Sequence, residues 1–551
     1  MSITGLRWAG PRAVLVELDN LASVLALHHR LQAEPLPGQV DAIAGAATVL
    51  VRFASRFHTG AARELIPHLD LAVRGRAAGS EVTIEVVYDG EDLAEVGRLT
   101  GLGADGVVAA HTGQVWTGAF GGFAPGFTYL VGENDLLHVP RRSSPRTAVP
   151  AGSVALGGAF SAVYPRQSPG GWQLLGHTGA VMWDLDREPP ALVRPGDTVR
   201  YVAVRESVVV QPARDTSERT AEQTRPAGVS GLVVEANGLQ SLVQDLGRPG
   251  FGDLGVSVSG AADHRSTRQA NRLVGNQPGA AVVENLLGGL AVRAQEDQVL
   301  AVAGAHAPLE IRDGARTLLR RPAMFAPFAL LDGETLTIGA PDTGVRSYLA
   351  VRGGVDVAPV LGSRSSDSMS GIGPAPLSAG MFLPVAPVSG VHPVGIPEDG
   401  IAGAGTTTIL RVTLGPRDDW FDAEGIRLLS GQQWRVTEQS NRIGVRLAPP
   451  AEGTALHRTR EGELPSEGAV AGALQVPPNG HPVLFLADHP VTGGYPVIAV
   501  VVPEDLPAAA QLPPGQQVAF TVVNPRTLAR LNQDNLLEFG GSSTAPEGSQ
   551  P

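Results

Sequence analysis

Hydrophobic and polar positions along this chain alternate mostly with a period of two, and in a few stretches with the longer period of a helix. The first 80 residues pass through AVLVEL (13–18), NLASVLALHHRL (20–31), TVLVRF (48–53) and AARELIPHLDLAV (61–73). Strand-like and helix-like runs in that sequence predict the βαβ order of a small α+β sandwich. From Glu81 onward strand patterns dominate, punctuated by Gly and Pro turns. Three helices stand out. EDLAEVGRLTG (91–101) places Leu93, Val96 and Leu99 on one side and stops at Gly101. SGAADHRSTRQANRLVG (259–275) predicts a helix capped by Ser259, apolar at Ala262, Ala270, Leu273 and Val274, and ended by Gly275. DWFDAEGIRLLSG (419–431) is the third.

The same patterns suggest a chain in two comparable parts. RPGDTVRYVAV (194–204) and PPGQQVAFTVV (513–523) both read as a Pro-Gly turn feeding an alternating strand. VPAGSVALGG (149–158) runs on to GGWQLL (170–175), and SEGAVAGALQVPP (466–478) runs on to GGYPVI (493–498), a weak internal duplication. Between the parts, residues 205–229 lose apolar periodicity after Val210 and read as an interdomain linker. The closing GGSSTAPEGSQP reads as disordered.

Composition narrows the chemistry. Length alone, 551 residues, suggests three to four domains at about 150 residues each. Hydrophobic residues make up 43% and charged residues 17%, with no apolar run long enough for a membrane span, so a soluble protein is expected. The N-terminus lacks a signal-peptide pattern, which makes a cytoplasmic location the expectation. The net charge is −12 and the 42 basic residues are all arginine. Without lysine there is no P-loop lysine, no pyridoxal Schiff base, no amidase-type catalytic lysine and no biotinyl-lysine on this chain. With no cysteine there is no thiolate nucleophile, disulfide or cysteine-bound metal. The acidic balance argues against nucleic acid as a partner. No HExxH, Gly-x-Ser-x-Gly, Walker or strand-linked GxGxxG motif occurs, and no metal site is expected.

Several segments have the composition of a site, each with a plainer alternative. FGGFAPGFTYL (120–130) sets glycine beside aromatics around Pro125, fitting either a pocket wall close to a flat ligand or a turn with aromatic core residues. His111, closing GADGVVAAHTG, fits a protonated acid or anion partner at a helix end, or a capping residue. SPGGWQLLGHT (168–178) offers glycine amides as an anion cradle, or a hairpin turn with a core tryptophan. QDLGRPG (244–250) spaces Asp245 and Arg248 as a possible ion pair, and SRSSD (363–367) and QSNRIG (439–444) repeat the theme of arginine among hydroxyls and amides. Glu467, Gln475, Asp488 and Tyr495 share one turn-rich β stretch, where two carboxylates could divide acid and base work if burial separates their pKa values.

Taken together, TGLGADGVVAAHTG, GGFAPGFTYL, PRRSSPRTAVPAGSVALGG and YPRQSPGGWQLLGHT resemble the carboxyltransferase C/D family, which includes the 5-oxoprolinase B component, allophanate hydrolase subunit 1 and a sporulation-kinase inhibitor. GLQSLVQDLGRPGFGDLGVSVSGAAD, ANRLVGN, LGSRSSD, QSNRIGVRL and SEGAVAGALQVPPNGHPVLFLADHPVTGGYP resemble the companion A/B family, that of the 5-oxoprolinase C component. The resemblance runs from about residue 5 to 525. It implies a mainly β fold with α+β: cyclophilin-like β-barrel subdomains plus a small N-terminal α+β sandwich. The implied layout is an N-terminal subdomain at 1–80, a C/D barrel at 81–204, the linker at 205–229, a first A/B subdomain at 230–400, a second, barrel-like one at 401–525 and a tail at 526–551.

The resemblance also implies ATP-driven opening of the 5-oxoproline lactam to glutamate, with Mg2+ accompanying ATP and, as partner, a separate protein like the 5-oxoprolinase A component. A lactam or other amide is then the substrate, and a homo-oligomer stays open. The family's other members imply two alternatives: a regulator that binds and inhibits a histidine kinase, or a carboxyltransferase of the urea carboxylase type needing a separate biotinylated carrier. By motif match, His111, Asp245, Arg248 and Glu467 are the implied catalytic groups. Pro125, Phe127, Arg146, Ser168 and Trp172 in one half, and Gln244, Asp263, Arg364, Asn441, Arg442, Gln475 and Tyr495 in the other, are the implied substrate-binding groups. Two positions depart from the family pattern: His177 stands where arginine is usual, and Thr128 where proline is common.

Overall fold

In the computed structural model, the described residues are 2–71, 79–142, 144, 146–205, 228–388, 393–400, 405, 407–462, 464–526 and 528. The expected linker and tail lie almost wholly outside them.

The N-terminal segment forms strands Ile3–Trp8, Ala13–Leu18, Gln39–Ala44 and Thr48–Phe53 and helices Leu21–Ala33 and Arg56–Leu65. All strand pairs are antiparallel, in the order first, second, fourth, third, so the expected βαβ order is replaced by two hairpins each followed by a helix. The two strands missing from the sequence reading, ITGLRW and QVDAIA, carry polar residues that blur their period. The AARELIPHLDLAV helix ends at Leu65 because Pro67 restricts the residue before it.

AVLVEL and TVLVRF are apolar on both faces because both faces are covered. Val14, Val16, Val49 and Val51 join a core shared with Phe120, Phe127 and Trp172. Leu15 and Leu50, on the other face, pack with Ile43 against Val491 of the C-terminal half.

Two barrels repeat one topology. In the first, the order is Gln173–His177, Ser153–Gly157, Phe160–Val163, Thr128–Gly132, Trp116–Gly121, Thr198–Ala203, Glu81–Val86. In the second, the corresponding order is Val497–Val501, Ala473–Gln475, Val483–Phe485, Gly444–Ala448, Trp434–Val436, Gln517–Val522, Thr407–Leu414, and this barrel is closed. The first is drawn together by a bridge from Val87 to His177. In each, the last strand pairs parallel with the first. Each also has a short helix, Gly103–Thr112 or Ala423–Gly431, followed by a tryptophan whose indole N–H donates to the carbonyl five residues back: Trp116 to His111 at 2.9 Å and Trp434 to Leu429 at 3.0 Å. Each carries a two-stranded appendage, Arg146–Val149 with Ser168–Gly170 and Glu467–Gly468 with Thr492–Gly493. The duplication read weakly from the sequence is thus a duplication of topology.

Between the barrels, residues from Gly231 to Pro384 build a six-stranded and a five-stranded sheet around Leu232, Val292, Val302 and Leu349. Helix His264–Leu273 packs Ala270 and Leu273 onto Ala301, Ala303 and Ala350. Its N-cap is Asp263, not Ser259: the Asp263 carboxylate accepts from the Ser266 amide at 2.9 Å. Ser259 has a positive φ of 52° and sends its hydroxyl to Asp488 instead.

Candidate functional site

In the first barrel, Asp92 organises the neighbourhood of Trp172. It accepts from Arg142 at 2.7 Å, Arg146 at 2.9 Å and the Leu174 amide at 2.7 Å. Burial raises the Asp92 pKa, but these donors outweigh it and hold the carboxyl below its ordinary range. Arg146 also reaches Glu91 at 3.0 Å. Trp172 and Phe127 meet edge to face at 5.6 Å among Tyr129 and Tyr164, and the Arg141 guanidinium stands 5.8 Å from the Trp172 ring centre. Ser168 is buried on the appendage strand paired with that of Arg146. Thr128 donates to the Val193 carbonyl at 2.8 Å, and His177 faces Asp89 at 2.8 Å near solvent.

Two expectations are reversed here. His111 is fully buried, hydrogen-bonded to Tyr88 at 2.7 Å and Ser161 at 2.9 Å and stacked on Tyr201 at 4.2 Å. Burial pushes its pKa down to about 3, so the helix end does not hold it protonated; it is a neutral core imidazole. The turn around Pro125 closes onto the other half of the chain rather than a flat ligand. The Gly126 amide donates to the Leu254 carbonyl at 3.1 Å, and a Cβ on Gly121 or Gly255 would lie 2.2 Å from the Asp253 carbonyl or 2.3 Å from that of Ala124.

In the second half the arginines and carboxylates form two networks. Asp245 accepts from Ser363 at 2.6 Å, Ser365 at 2.5 Å and the amides of Arg364 at 2.7 Å and Gly247 at 2.8 Å. No ion pair joins Asp245 to Arg248 among the described residues. Arg248, almost wholly buried, donates to the Val360 and Ser365 carbonyls, so both side chains clamp the same SRSSD loop from different sides. Gln244 donates to Ser366 at 2.8 Å, and the Arg364 guanidinium turns outward to Asp356 at 2.8 Å. Arg248 Nη1 and Gln244 Oε1 are buried without a partner.

The second network centres on Arg442, which donates to Asp488 at 2.8 and 2.9 Å, to Glu284 at 2.5 Å and to the Gly260 carbonyl at 2.6 Å. Tyr348 donates to Glu284 at 2.9 Å and accepts from the Asp263 amide at 2.9 Å, which ties Asp263 to the same chain. Burial opposes ionisation of Asp488 and Glu284, but Arg442 outweighs it and holds both low. Asn441 stabilises a turn by accepting from the Ile443 amide at 2.9 Å.

Glu467 and Asp488 do not share one site. Arg417 donates to Glu467 at 2.6 and 2.8 Å and also to Glu17 of the N-terminal sheet. Burial raises Glu467 to about 6 despite Arg417, and its Oε1 has no partner. The two carboxyls are therefore pushed apart in pKa, as expected, but inside separate networks. Gln475 donates to the Tyr495 carbonyl at 3.1 Å, with the Tyr495 ring half exposed. Beside Glu467, Ser466 bonds Tyr129 of the first barrel at 2.8 Å and accepts from Arg141 at 3.5 Å, so the Trp172 region and the Glu467 region adjoin across the two halves.

A cavity of ≈ 670 Å³ opens where the N-terminal sheet, the start of helix His264–Leu273 and the C-terminal barrel meet. Arg12, Arg52, Arg265, Arg268, His264 and His489 line it, and none of the residues implied by the resemblance does. Burial lowers His264 and His489 to about 4 each, so both imidazoles are neutral. Sequence reasoning missed this set, together with Arg417 and Glu284. Glu284 alone carried a signal, as a charge inside the apolar run VVENL. Among the described residues no group of three or more His, Asp or Glu side chains is placed to hold a metal ion.

Comparison with known proteins divides the chain as the two barrels do. Residues 4–193 match the family model described as carboxyltransferase domain, subdomain C and D, and residues 254–522 match that for subdomain A and B. The chain is 36% identical over 310 residues to the 5-oxoprolinase C component of Escherichia coli (strain K12), covering 55% of this chain and 94% of that protein. It is 40% identical over 210 residues to the 5-oxoprolinase B component of Escherichia coli O157:H7, covering 36% of this chain and 95% of that protein. The solved structure of TTHA0988 superposes with a TM-score of 0.79 at 35% identity, covering 93% of this chain and 99% of that one.

Proposed function

Since this chain belongs to the families of the 5-oxoprolinase B and C components, with a B-like and a C-like part joined in one polypeptide, we propose that it is the B/C component of an ATP-dependent 5-oxoprolinase. It works with a separate A-like component to open the 5-oxoproline lactam to L-glutamate. The observation that carries this reading is that two distinct proteins are each matched along nearly their whole length, one after the other, in a single chain. Fusion fixes their stoichiometry at one to one and keeps the halves at high effective concentration.

An unstrained amide is a poor electrophile; ATP supplies a phosphoryl group that makes the lactam oxygen a good leaving group. The chain's own part is to bind and orient the lactam, stabilise developing negative charge with arginines and amides, and hold a proton where the ring nitrogen leaves. Of the four implied catalytic groups, His111 and Asp245 have their hydrogen-bonding capacity taken up within the fold. Glu467 and Arg248 each keep an unpartnered polar atom, and Glu467 sits near pKa 6, within reach of acid or base work at neutral pH. The donor chemistry offers no set to hold a metal on this chain, so no step is routed through one.

The test is to mix the purified chain with an A-like component, ATP and 5-oxoproline and to follow glutamate and ADP. Turnover that needs both proteins supports the proposal; tight binding to a histidine kinase without turnover removes it in favour of the regulator. Glu467→Gln and Arg248→Met in folded protein lower turnover at least tenfold, and unchanged turnover takes that residue out of the site. No feature of the fold favours the biotin-dependent alternative, which needs a separate carrier because a chain without lysine cannot bear biotin.

A further inference from the structure

The cavity at the three-way junction has chemistry that none of the implied site residues supplies. We propose that it binds a small acid, seating a carboxylate or phosphate on Arg265 and Arg268 and a ligand hydrogen-bond donor on Nε2 of His489.

Charge is the first argument. Arg12, Arg52, Arg265 and Arg268 face the cavity against a single lining carboxylate, Glu504, and that carboxylate already bonds Arg56. In a chain of net charge −12, such a concentration of arginine is a local inversion of sign. Arg265 and Arg268 lie three residues apart on helix His264–Leu273, hence on one face, and their side chains have no hydrogen bond or ion pair among the described residues. Arg272, next along the same face, is held by Glu398 at 2.6 and 2.8 Å, which shows what a carboxylate does on this helix when one is available. The helix start is itself capped by Asp263, so the attraction comes from the side chains and not from free amides.

His489 supplies the second, independent argument. It is 6% exposed and its ring stacks on Phe485 at 5.6 Å. Its Nδ1 lies 2.8 Å from the Pro490 carbonyl oxygen, which only accepts, so Nδ1 carries the proton and Nε2 holds a lone pair. Nε2 has no partner among the described residues, on a residue that lines the cavity. Arginines and a neutral imidazole acceptor on one wall system together ask for an oxyanion and an N–H or O–H on the same ligand. The volume suits a small molecule.

If the proposed function holds, and this assignment alone rests on it, the ligand is 5-oxoproline, which carries both a carboxylate and a lactam N–H; a phosphorylated species shares the oxyanion chemistry. Calorimetric titration of the full chain with 5-oxoproline, inorganic phosphate and pyrrolidin-2-one separates these sources. The expected result is one 5-oxoproline per chain and no binding of pyrrolidin-2-one, which lacks the carboxylate. The double variant Arg265→Ala/Arg268→Ala weakens oxyanion binding at least tenfold, and Ala471→Phe, which fills the cavity and keeps the arginines, does the same; circular dichroism checks that both fold. Phosphate binding that depends on the arginines, without 5-oxoproline binding, supports the site and assigns it to a phosphorylated ligand.

Binding within twofold of wild type in the folded double variant, or no binding of either anion by the wild type, overturns the inference. Absence of glutamate formation while arginine-dependent anion binding persists removes the 5-oxoprolinase reading and leaves the site. Normal turnover by the double variant removes the site and leaves that reading.

Discussion

Arg442 is 2% exposed and lies between two ionised carboxylates, so its worth is set by what its removal leaves behind. Arg442→Met strands Asp488 and Glu284 as buried charges, with an expected loss of about 3–5 kcal/mol in urea unfolding. Glu467 behaves oppositely. Folding raises its pKa from the ordinary 4.5 to about 6, so the folded state holds its proton more tightly. That contribution is present below pH 4.5 and is lost as pH rises through 6, a change of about 2 kcal/mol. Unfolding measured across this range is expected to show the wild type losing that much relative to Glu467→Gln, which has no proton to release. The arginines themselves were legible in motifs such as QSNRIG and LGRPG. Their partners were not: Arg417 meets Glu17 across 400 positions of sequence, and no local pattern encodes that meeting.

At the scale of elements, the glycine-rich turns act as seams between halves. Gly255 has a φ of 73° and stands where a Cβ would be 2.3 Å from the Ala124 carbonyl. Gly255→Ala therefore has both backbone strain and a clash against it, and is expected to cost more than about 1 kcal/mol in thermal or urea unfolding. Helices with a local stop or start were legible: the EDLAEVGRLTG helix ends at Gly101 in the left-handed region, as its sequence says. The Ser259 cap was misplaced because Asp263, four residues on, offers a carboxylate that reaches the Ser266 amide, while Ser259 is drawn to Asp488. Strands ITGLRW and QVDAIA were missed because their polar positions, Arg7 and Asp41, answer to Glu17 and Arg52 rather than to solvent.

At the scale of the molecule, the two halves are held by more than the chain between them. His28 meets Asp253 at 2.7 Å, and although burial works against its charge, Asp253 outweighs it and raises the His28 pKa. Gln32 joins the same carboxylate at 2.6 Å, Arg7 reaches Asp419 at 3.4 Å, and Leu15 and Leu50 pack against Val491. Cutting the full chain at a protease site engineered between residues 205 and 228 is expected to leave both pieces co-eluting in size-exclusion chromatography. Co-elution should persist at roughly 1 M salt, because screening weakens the exposed pairs and not the apolar contact. Separation of the pieces at low salt would mean that the linker alone holds them.

The sequence by itself determined which stretches become strands and helices, that lysine and cysteine chemistry is closed to this chain, and which two families its motifs resemble. Those properties are written in windows of a few to a few tens of residues. Only the tertiary structure decided that His111 is a neutral core residue, that the Pro125 turn faces backbone instead of ligand, and that free arginines and an unpaired imidazole nitrogen border one cavity. The reason is that charge and proton affinity depend on burial and on distance through space, and folding sets both by bringing together residues such as Ser259 and Asp488, 229 positions apart.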